Sequence, residues 1–215
     1  MTALKVTPMK ELIRIHEVSG CRLWIDQVGV FLVWFPNELT IGNAFPSQQP
    51  KLSMMADLRT KHVSFIRKGD EYQVEPYGPV SIQQNAVTNP SPLRTDTTLL
   101  LGDDVEVGFH IPTPLSSSAT IDFQSDHQPV NRLDRVIMFH QTCILGRGQS
   151  HIECPQWKTP VILFERDNTL WLKTNQEFQI DGESQSSPVP LNDQSTVTGT
   201  DSEWRCHFEI ISKMP

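Results

Sequence analysis

The sequence has no long hydrophobic run. None of its segments approaches the roughly 18 to 20 consecutive apolar residues that a membrane-spanning helix requires. The first twenty residues carry five charged side chains, and their longest apolar run is two residues, so they lack the hydrophobic region of a secretory signal. These absences predict a cytoplasmic protein without a membrane partner.

The four cysteines form no Cys-x-x-Cys pair. Cys21, Cys143, Cys154 and Cys206 are widely spaced, as expected of buried, reduced thiols in a cytosolic protein. His151-x-x-Cys154 has the spacing of half a zinc site, but no second pair of His or Cys ligands follows it. The sequence therefore predicts neither a metal nor a cofactor.

Positive charge is scarce as well. The chain has 18 basic and 25 acidic residues, which gives a net charge of −7, and neither half of the sequence has a basic excess. A protein that binds nucleic acid needs a basic surface to neutralise phosphates. The sequence therefore predicts no nucleic-acid partner.

A sustained helical period is also missing. Sixteen prolines are spread along the chain, and no long interval between them keeps a 3.6-residue apolar period, which excludes a helix bundle or coiled coil. What the sequence has instead is short runs of β-branched and aromatic residues. One run is 28–35, and a polar turn at 67–70 separates the runs 62–66 and 71–75. This pattern predicts an all-β protein.

The second half of the sequence repeats the pattern of the first. Residues 62–85 align without gaps on residues 160–183, and the apolar positions then coincide although few residues are identical. A link rich in Pro and Ser, residues 112–119, lies between the repeats. These features predict two antiparallel β-sandwich modules, with one continuous many-stranded sandwich as the alternative. The expected division is an N-terminal arm at 1–20, a first module at 21–113, a linker at 114–118 and a second module at 119–215.

Several short motifs follow one another in a fixed order. Leu39-Thr40-Ile41-Gly42 ends a strand, and Asp57-Leu58-Arg59-Thr60-Lys61-His62 and Leu101-Gly102-Asp103-Asp104-Val105 come later. The second repeat has Ile144-Leu145-Gly146-Arg147 at the end of the matching strand. In this order the motifs resemble those of the forkhead-associated (FHA) family, and the resemblance covers roughly residues 23–109 of the first repeat.

The resemblance implies eleven-stranded β-sandwiches whose loops at one end bind a phosphothreonine peptide. A phosphate carries nearly two negative charges at neutral pH, and an arginine pairs with it through charge-assisted hydrogen bonds. Such a protein would be a non-enzymatic signalling adaptor. Its partners would be phosphorylated proteins, either Ser/Thr kinases or their substrates.

Neither repeat has the complete set of site residues in the family pattern. In the first repeat Asn43 occupies the position of the phosphate-binding Arg and Arg59 that of a Ser, while His62 is retained. The second repeat keeps Arg147 but has Pro160 in place of the His. The alternative to phosphopeptide binding is therefore a phosphate-independent scaffold with eroded sites. An enzyme is the third hypothesis, but the sequence pairs no nucleophile with a base.

The strongest candidate site is a basic segment of the first repeat. Residues 59–68 contain four Lys or Arg side chains and no acidic one. They predict either an anion site in which Arg59 substitutes for Asn43, or a solvated strand edge on which the charges discourage pairing with another chain. The candidate phosphopeptide-binding residues are Asn43, Arg59, Thr60, Lys61 and Arg147, and the residues expected to support the site are Gly42, His62 and Gly146.

Overall fold

The computed structural model describes residues 10–44, 51–199 and 204–212. These ranges consist of strands, turns and loops, and they contain no helix that is long and apolar enough to cross a membrane. The strands form one twelve-stranded sheet and two five-stranded sheets, and most neighbouring strands are antiparallel. The prediction of an all-β protein built as antiparallel β-sandwiches is confirmed.

The first half of the described chain contributes eleven short strands, each bounded by turn residues. Runs of β-branched and aromatic residues favour these strands because such side chains pack well on a pleated surface. In chain order the strands are β1 (Val18–Ile25), β2 (Gly29–Trp34), β3 (Glu38–Asn43), β4 (Leu52–Met54), β5 (Val63–Lys68), β6 (Glu71–Pro76), β7 (Val80–Ile82), β8 (Asn85–Ala86), β9 (Ser91–Leu93), β10 (Thr97–Leu101) and β11 (Val105–His110).

The second half contributes eleven more strands to the described structure. They are β12 (Ala119–Phe123), β13 (Arg135–Met138), β14 (Thr142–Gly146), β15 (Ile152–Glu153), β16 (Val161–Arg166), β17 (Thr169–Thr174), β18 (Phe178–Ile180), β19 (Glu183–Gln185), β20 (Val189–Pro190), β21 (Thr196–Gly199) and β22 (Arg205–Ser212). The described strands are therefore divided equally between the two halves, eleven to each.

The two halves have the same strand order. The five-stranded sheets run β4-β3-β5-β6-β9 and β15-β14-β16-β17-β20. Strands β5, β6 and β7 begin at residues 63, 71 and 80, and strands β16, β17 and β18 begin at 161, 169 and 178, a constant spacing of 98 residues. This spacing is the one that the ungapped alignment of 62–85 on 160–183 requires.

The twelve-stranded sheet joins the halves by exchanging their first hairpins. Its order is β19-β18-β21-β22-β1-β2-β13-β12-β11-β10-β7-β8. Strand β1 of the first half therefore pairs with β22 of the second half, and β12 of the second half pairs with β11 of the first. Strands β2 and β13 meet in the middle of the sheet and are parallel.

Two hydrophobic cores lie on opposite faces of this sheet. Leu32 and Trp34 of β2 belong to the first core, which the sheet β4-β3-β5-β6-β9 covers. Phe31 and Val33 of the same strand belong to the second core, which the other five-stranded sheet covers. Because successive side chains of a strand point to opposite faces, β2 is buried from both sides. This double burial explains the uninterrupted apolar run around 30–35.

The structure differs from the expected division into modules in two respects, one at the link and one in the N-terminal arm. The link does separate β11 from β12, but β1 packs in the second core and β12 in the first, so neither core follows the ranges 21–113 and 119–215. Of the expected arm, residues 1–9 lie outside the described ranges. Ile13 and Ile15 are buried in the second core, because backbone hydrogen bonds hold this segment along β17.

Candidate functional site

The candidate residues of the first half lie where the loop between β4 and β5 returns to the end of β3. The Asn43 N–H donates to the Arg59 carbonyl oxygen at 3.0 Å, and the Asn43 side-chain amide donates to the Ala56 carbonyl oxygen at 2.9 Å. Gly42 permits this approach, since a Cβ there would lie 2.7 Å from the Arg59 carbonyl oxygen and closer still to that of Thr60. The loop therefore lies directly against β3.

His62 fastens the same loop to the turn between β6 and β7. Its buried ring accepts a hydrogen bond at Nδ1 from the Arg59 N–H at 3.1 Å, so Nε2 carries the proton and donates to the Pro79 carbonyl oxygen at 2.7 Å. The ring also packs on Gly78, where a Cβ would lie 2.5 Å from it. Burial lowers the pKa of His62, which favours the neutral form that these bonds require.

A cleft of about 440 Å³ opens beside this turn. Arg59, residues 76–81, residues 86–88 and Gly102 form its walls. The Arg59 side chain is exposed, and its guanidinium donates to the carbonyl oxygen of Tyr77. Because a guanidinium has five N–H donors, this contact leaves most of them for a ligand.

Lys61 places a second cation next to Tyr77. Its Nζ lies 4.0 Å from the centroid of the Tyr77 ring and 3.4 Å from Oε1 of Glu38. The contact with the Tyr77 side chain raises the pKa of Lys61, and the Glu38 carboxylate adds to that rise. Glu38 also accepts a hydrogen bond from Ser64 at 2.7 Å, which lowers the pKa of the Glu38 carboxyl. Lys61 is therefore a cation at neutral pH.

The structure brings together part of the predicted set. Arg59 and Lys61 both contact Tyr77, and Arg59 lines the cleft, whereas Lys61 is not among the described residues that line it. Thr60 is exposed on the same loop, but it is not among the described residues that line the cleft. The Asn43 amide points to the loop backbone, so Arg59 reaches Tyr77 and not a space beside Asn43.

Arg147 lies in the second half, in the turn between β14 and β15. The buried Ser150 hydroxyl closes this turn by donating to the carbonyl oxygen of Gly146 at 2.9 Å. Gly148, with φ of 71°, adopts the left-handed conformation that favours glycine. Arg147 is exposed and forms no ion pair with another described residue. The fold does not bring Arg147 to the Arg59 cleft.

Tyr77 and Pro79 are site residues that the sequence did not identify. Tyr77 contacts both cations, and Pro79 accepts the hydrogen bond that orients His62. The available signal was the segment Tyr77-Gly78-Pro79, which leads directly into β7. Nothing in the sequence indicated that this turn would face Arg59, because the two are distant in the chain.

A second polar cleft, of about 460 Å³, was not predicted either. In it His110 lies between two carboxylates, with Nδ1 2.9 Å from Asp96 and Nε2 3.3 Å from Asp122. Asp122 also accepts a hydrogen bond from Arg135. The charged side chains of this cleft are therefore largely paired with one another.

The His151-x-x-Cys154 pair does not form a metal site in the described structure. No group of three or more His, Cys, Asp or Glu side chains within the described ranges has a geometry that holds a metal ion. His151 accepts a hydrogen bond from the Ile144 N–H at 3.0 Å, and burial lowers the pKa of this histidine to about 4. Burial also raises the pKa of the Cys154 thiol to about 12.

Comparison with known proteins yields little. No family model matches the chain, and no curated protein matches it. A solved structure with some similarity is the N-terminal FHA domain from EssC, a component of the bacterial Type VII secretion apparatus. The two are 10% identical, the alignment covers 91% of this chain and 98% of that chain, and the TM-score is 0.25. At this TM-score the similarity carries no argument about function.

Proposed function

We propose that the protein is a non-enzymatic interaction protein with two FHA-like repeats, and that the first repeat binds a phosphorylated peptide in the Arg59 cleft. The observation that carries the proposal is the exposed cation Arg59 in a cleft whose loops His62 holds in place, with a second exposed cation, Lys61, against the ring of Tyr77, which lines the same cleft. The repeated eleven-strand order supports the assignment of both halves to one type of module. The partners proposed are Ser/Thr kinases or their phosphorylated substrates.

The chemistry of the cleft suits a phosphate flanked by peptide. Arg59 offers a planar set of N–H donors, which pairs well with phosphate oxygens, and Lys61 adds a compact positive charge. The Pro79 and Val87 side chains give the cleft an apolar wall for the neighbouring peptide residues. Because the loops are already braced by His62, binding costs little ordering of the protein.

Fluorescence polarisation with a degenerate phosphothreonine library, beside its unphosphorylated twin, tests the proposal. We expect binding of the phosphorylated library only. Arg59→Ala should weaken that binding about tenfold to a hundredfold, because a hydrogen bond to a charged group contributes roughly 1.5–3 kcal/mol. Arg94→Ala is the matched control, since Arg94 is also exposed and lies outside the cleft.

Arg147→Ala should have a smaller effect than Arg59→Ala. An isolated surface cation without braced neighbours gives a weak, salt-screened contact. If Arg147→Ala is the more damaging change, the site lies in the second half and the assignment to the Arg59 cleft is wrong.

Equal binding of phosphorylated and unphosphorylated peptides would favour the second candidate function, a phosphate-independent scaffold. The observation that supports a scaffold is that the Arg59 guanidinium already contacts the Tyr77 carbonyl oxygen and that Lys61 already pairs with Glu38. In that case Arg59 and Lys61 brace the turn between β6 and β7, and other surfaces of the sandwiches make the protein contacts.

A further inference from the structure

The exchanged hairpins cover an open strand edge in each half with a strand from the other half. Strand β11 of the first half leaves an open edge, and β12 covers it over four residue pairs, from Val107 opposite Phe123 to His110 opposite Thr120. Strand β22 of the second half leaves the corresponding edge, and β1 covers it from Val18 to Ile25. Each sandwich is therefore completed by residues from the far half of the chain.

The exchanged side chains fill the cores that they enter. Ala119 and Ile121 of β12 are fully buried in the first core. Cys21 and Leu23 of β1 are fully buried in the second core. Removing either hairpin would expose these side chains and open a cavity against the facing sheet, a loss that usually costs several kcal/mol for each large residue.

Cross-strand pairs favour the exchanged arrangement over its alternative. Arg22 of β1 lies directly opposite Glu209 of β22, with Nη1 3.6 Å from Oε2. Leu23 lies opposite Phe208 in the pair of β1 with β22, and Ile121 lies opposite Phe109 in the matching pair of β12 with β11. If β1 instead paired with β11 in the same register, Arg22 would lie opposite His110. Opposite charges across a strand pair stabilise it, and the alternative loses this pair.

We infer that each half is the obligate partner of the other, so that the two sandwiches unfold as one cooperative unit and not as two independent modules. A disturbance confined to the first core then lowers the stability of the second core by the same amount. This coupling goes beyond peptide binding and does not depend on it.

The cysteines provide a reporter for this coupling. All four are buried in the second core, and none is in the first. A thiol reagent such as DTNB reacts with a thiol only after the second core opens. Thiol labelling against urea therefore follows the second core alone, while circular dichroism follows the whole chain.

The test is Leu99→Ala in the full-length chain. Leu99 is fully buried in the first core and lies outside the Arg59 cleft. We expect the equilibrium exposure of the second-core thiols to rise about 30-fold or more, the effect typical of a Leu-to-Ala change in a core. The labelling midpoint and the circular dichroism midpoint should shift to lower urea together.

The inference is wrong if, in Leu99→Ala, the thiol-labelling midpoint stays at its wild-type value while the circular dichroism transition becomes biphasic. Leu172→Ala, in the second core, is the control, because it should advance thiol labelling whether or not the halves are coupled. If Leu99→Ala does not fold, Val74→Ala makes the same test with a smaller cavity in the first core.

Cleavage of the link gives an independent test on the intact fold. Leu115 is 80% exposed, so a protease site inserted beside it can be cut in the folded full-length protein. We expect the cut chain to elute as a single particle of unchanged size until urea separates its pieces. Two separate particles of about half the mass, each folded, would show that the halves do not depend on each other.

Discussion

At the residue scale, Gly42 controls how closely the Arg59 loop approaches β3. A Cβ at this position would lie 2.7 Å from the Arg59 carbonyl oxygen, and backbone atoms move less easily than side chains. We expect Gly42→Ala to cost about 1–3 kcal/mol, the usual range for an overpacked site. In a protein of this size that corresponds to a fall in Tm of roughly 2–12 °C, which differential scanning calorimetry measures.

A glycine in an open turn provides the comparison for Gly42→Ala. Gly69 has φ of 63° and no other heavy atom within 4 Å of a Cβ built there. Gly69→Asn should change Tm little, because Asn tolerates this conformation better than most residues. If Gly42→Ala is as mild as Gly69→Asn, the loop does not lie against β3 as closely as the structure has it.

His151 makes the stability depend on pH. The folded pKa of about 4 lies below the ordinary value of 6.5, so the unfolded chain binds the proton more readily between these values. The free energy of unfolding should be constant above about pH 7 and fall as the pH drops from 6.5 towards 4. Protonation would also place a proton on Nδ1, which accepts the Ile144 N–H. Across the whole window the free energy of unfolding should fall by an amount on the order of 3 kcal/mol.

Urea unfolding at several pH values between 4.5 and 7.5, chosen as roughly the window of this shift, measures the effect. His151→Gln removes the titrating ring, so its stability should fall less steeply with acid. The slope should not vanish, because burial also lowers the pKa of His62 and of His140. Parallel slopes for wild type and His151→Gln would contradict the prediction.

At the scale of the strands, much of the structure could be predicted because local patterns determine it. The polar turn at 67–70 and the alternation around it mark β5 and β6, and the same alternation 98 residues later marks β16 and β17. Which strands become neighbours could not be predicted. Alternation in β1 shows that Cys21 and Leu23 face a core, but either core would bury them equally well.

The pairing of β1 with β22 can be tested by a cross-link. Arg22 and Glu209 are directly opposite, and Cβ atoms of such pairs lie about 4.5–5.5 Å apart, within reach of a disulfide after small adjustment. Arg22→Cys with Glu209→Cys should form an intrachain disulfide under mild oxidation, seen by mass spectrometry after digestion. Arg22→Cys with His110→Cys should not, and a cross-link there would show that β1 pairs with β11.

In the candidate site, too, the sequence indicated individual residues but not which residues would become their neighbours. The sequence identified Arg59 and Lys61 through the order of motifs and the basic segment 59–68, and the structure places both against Tyr77, with Arg59 lining the cleft. Their shared partner Tyr77 could not be predicted, since it enters through a turn whose position depends on the bond from His62 to Pro79. Asn43 was selected by its place in the motif, yet its amide bonds the loop backbone.

At the scale of the whole molecule, the shared sheet links the proposed ligand site to the distant core. A ligand that binds only the folded state stabilises it by RT ln(1 + [L]/Kd), about 2.7 kcal/mol at a hundredfold excess over Kd. If the halves unfold together, a phosphopeptide in the Arg59 cleft stabilises the second core as much as the first. Equilibrium exposure of the four buried thiols should then fall about a hundredfold.

Thiol labelling of the full-length protein in moderate urea, with and without the phosphopeptide, measures this protection. Arg59→Ala should reduce the protection at the same peptide concentration from about a hundredfold to roughly twofold to tenfold, because binding weakened tenfold to a hundredfold leaves [L]/Kd between about 1 and 10, while Arg94→Ala should keep the full protection. Undiminished protection in Arg59→Ala would place the peptide elsewhere. Binding without any protection of the thiols would instead show that the first half holds its ligand independently of the second core, because only a shared unfolding step carries the stabilisation from one face of the sheet to the other.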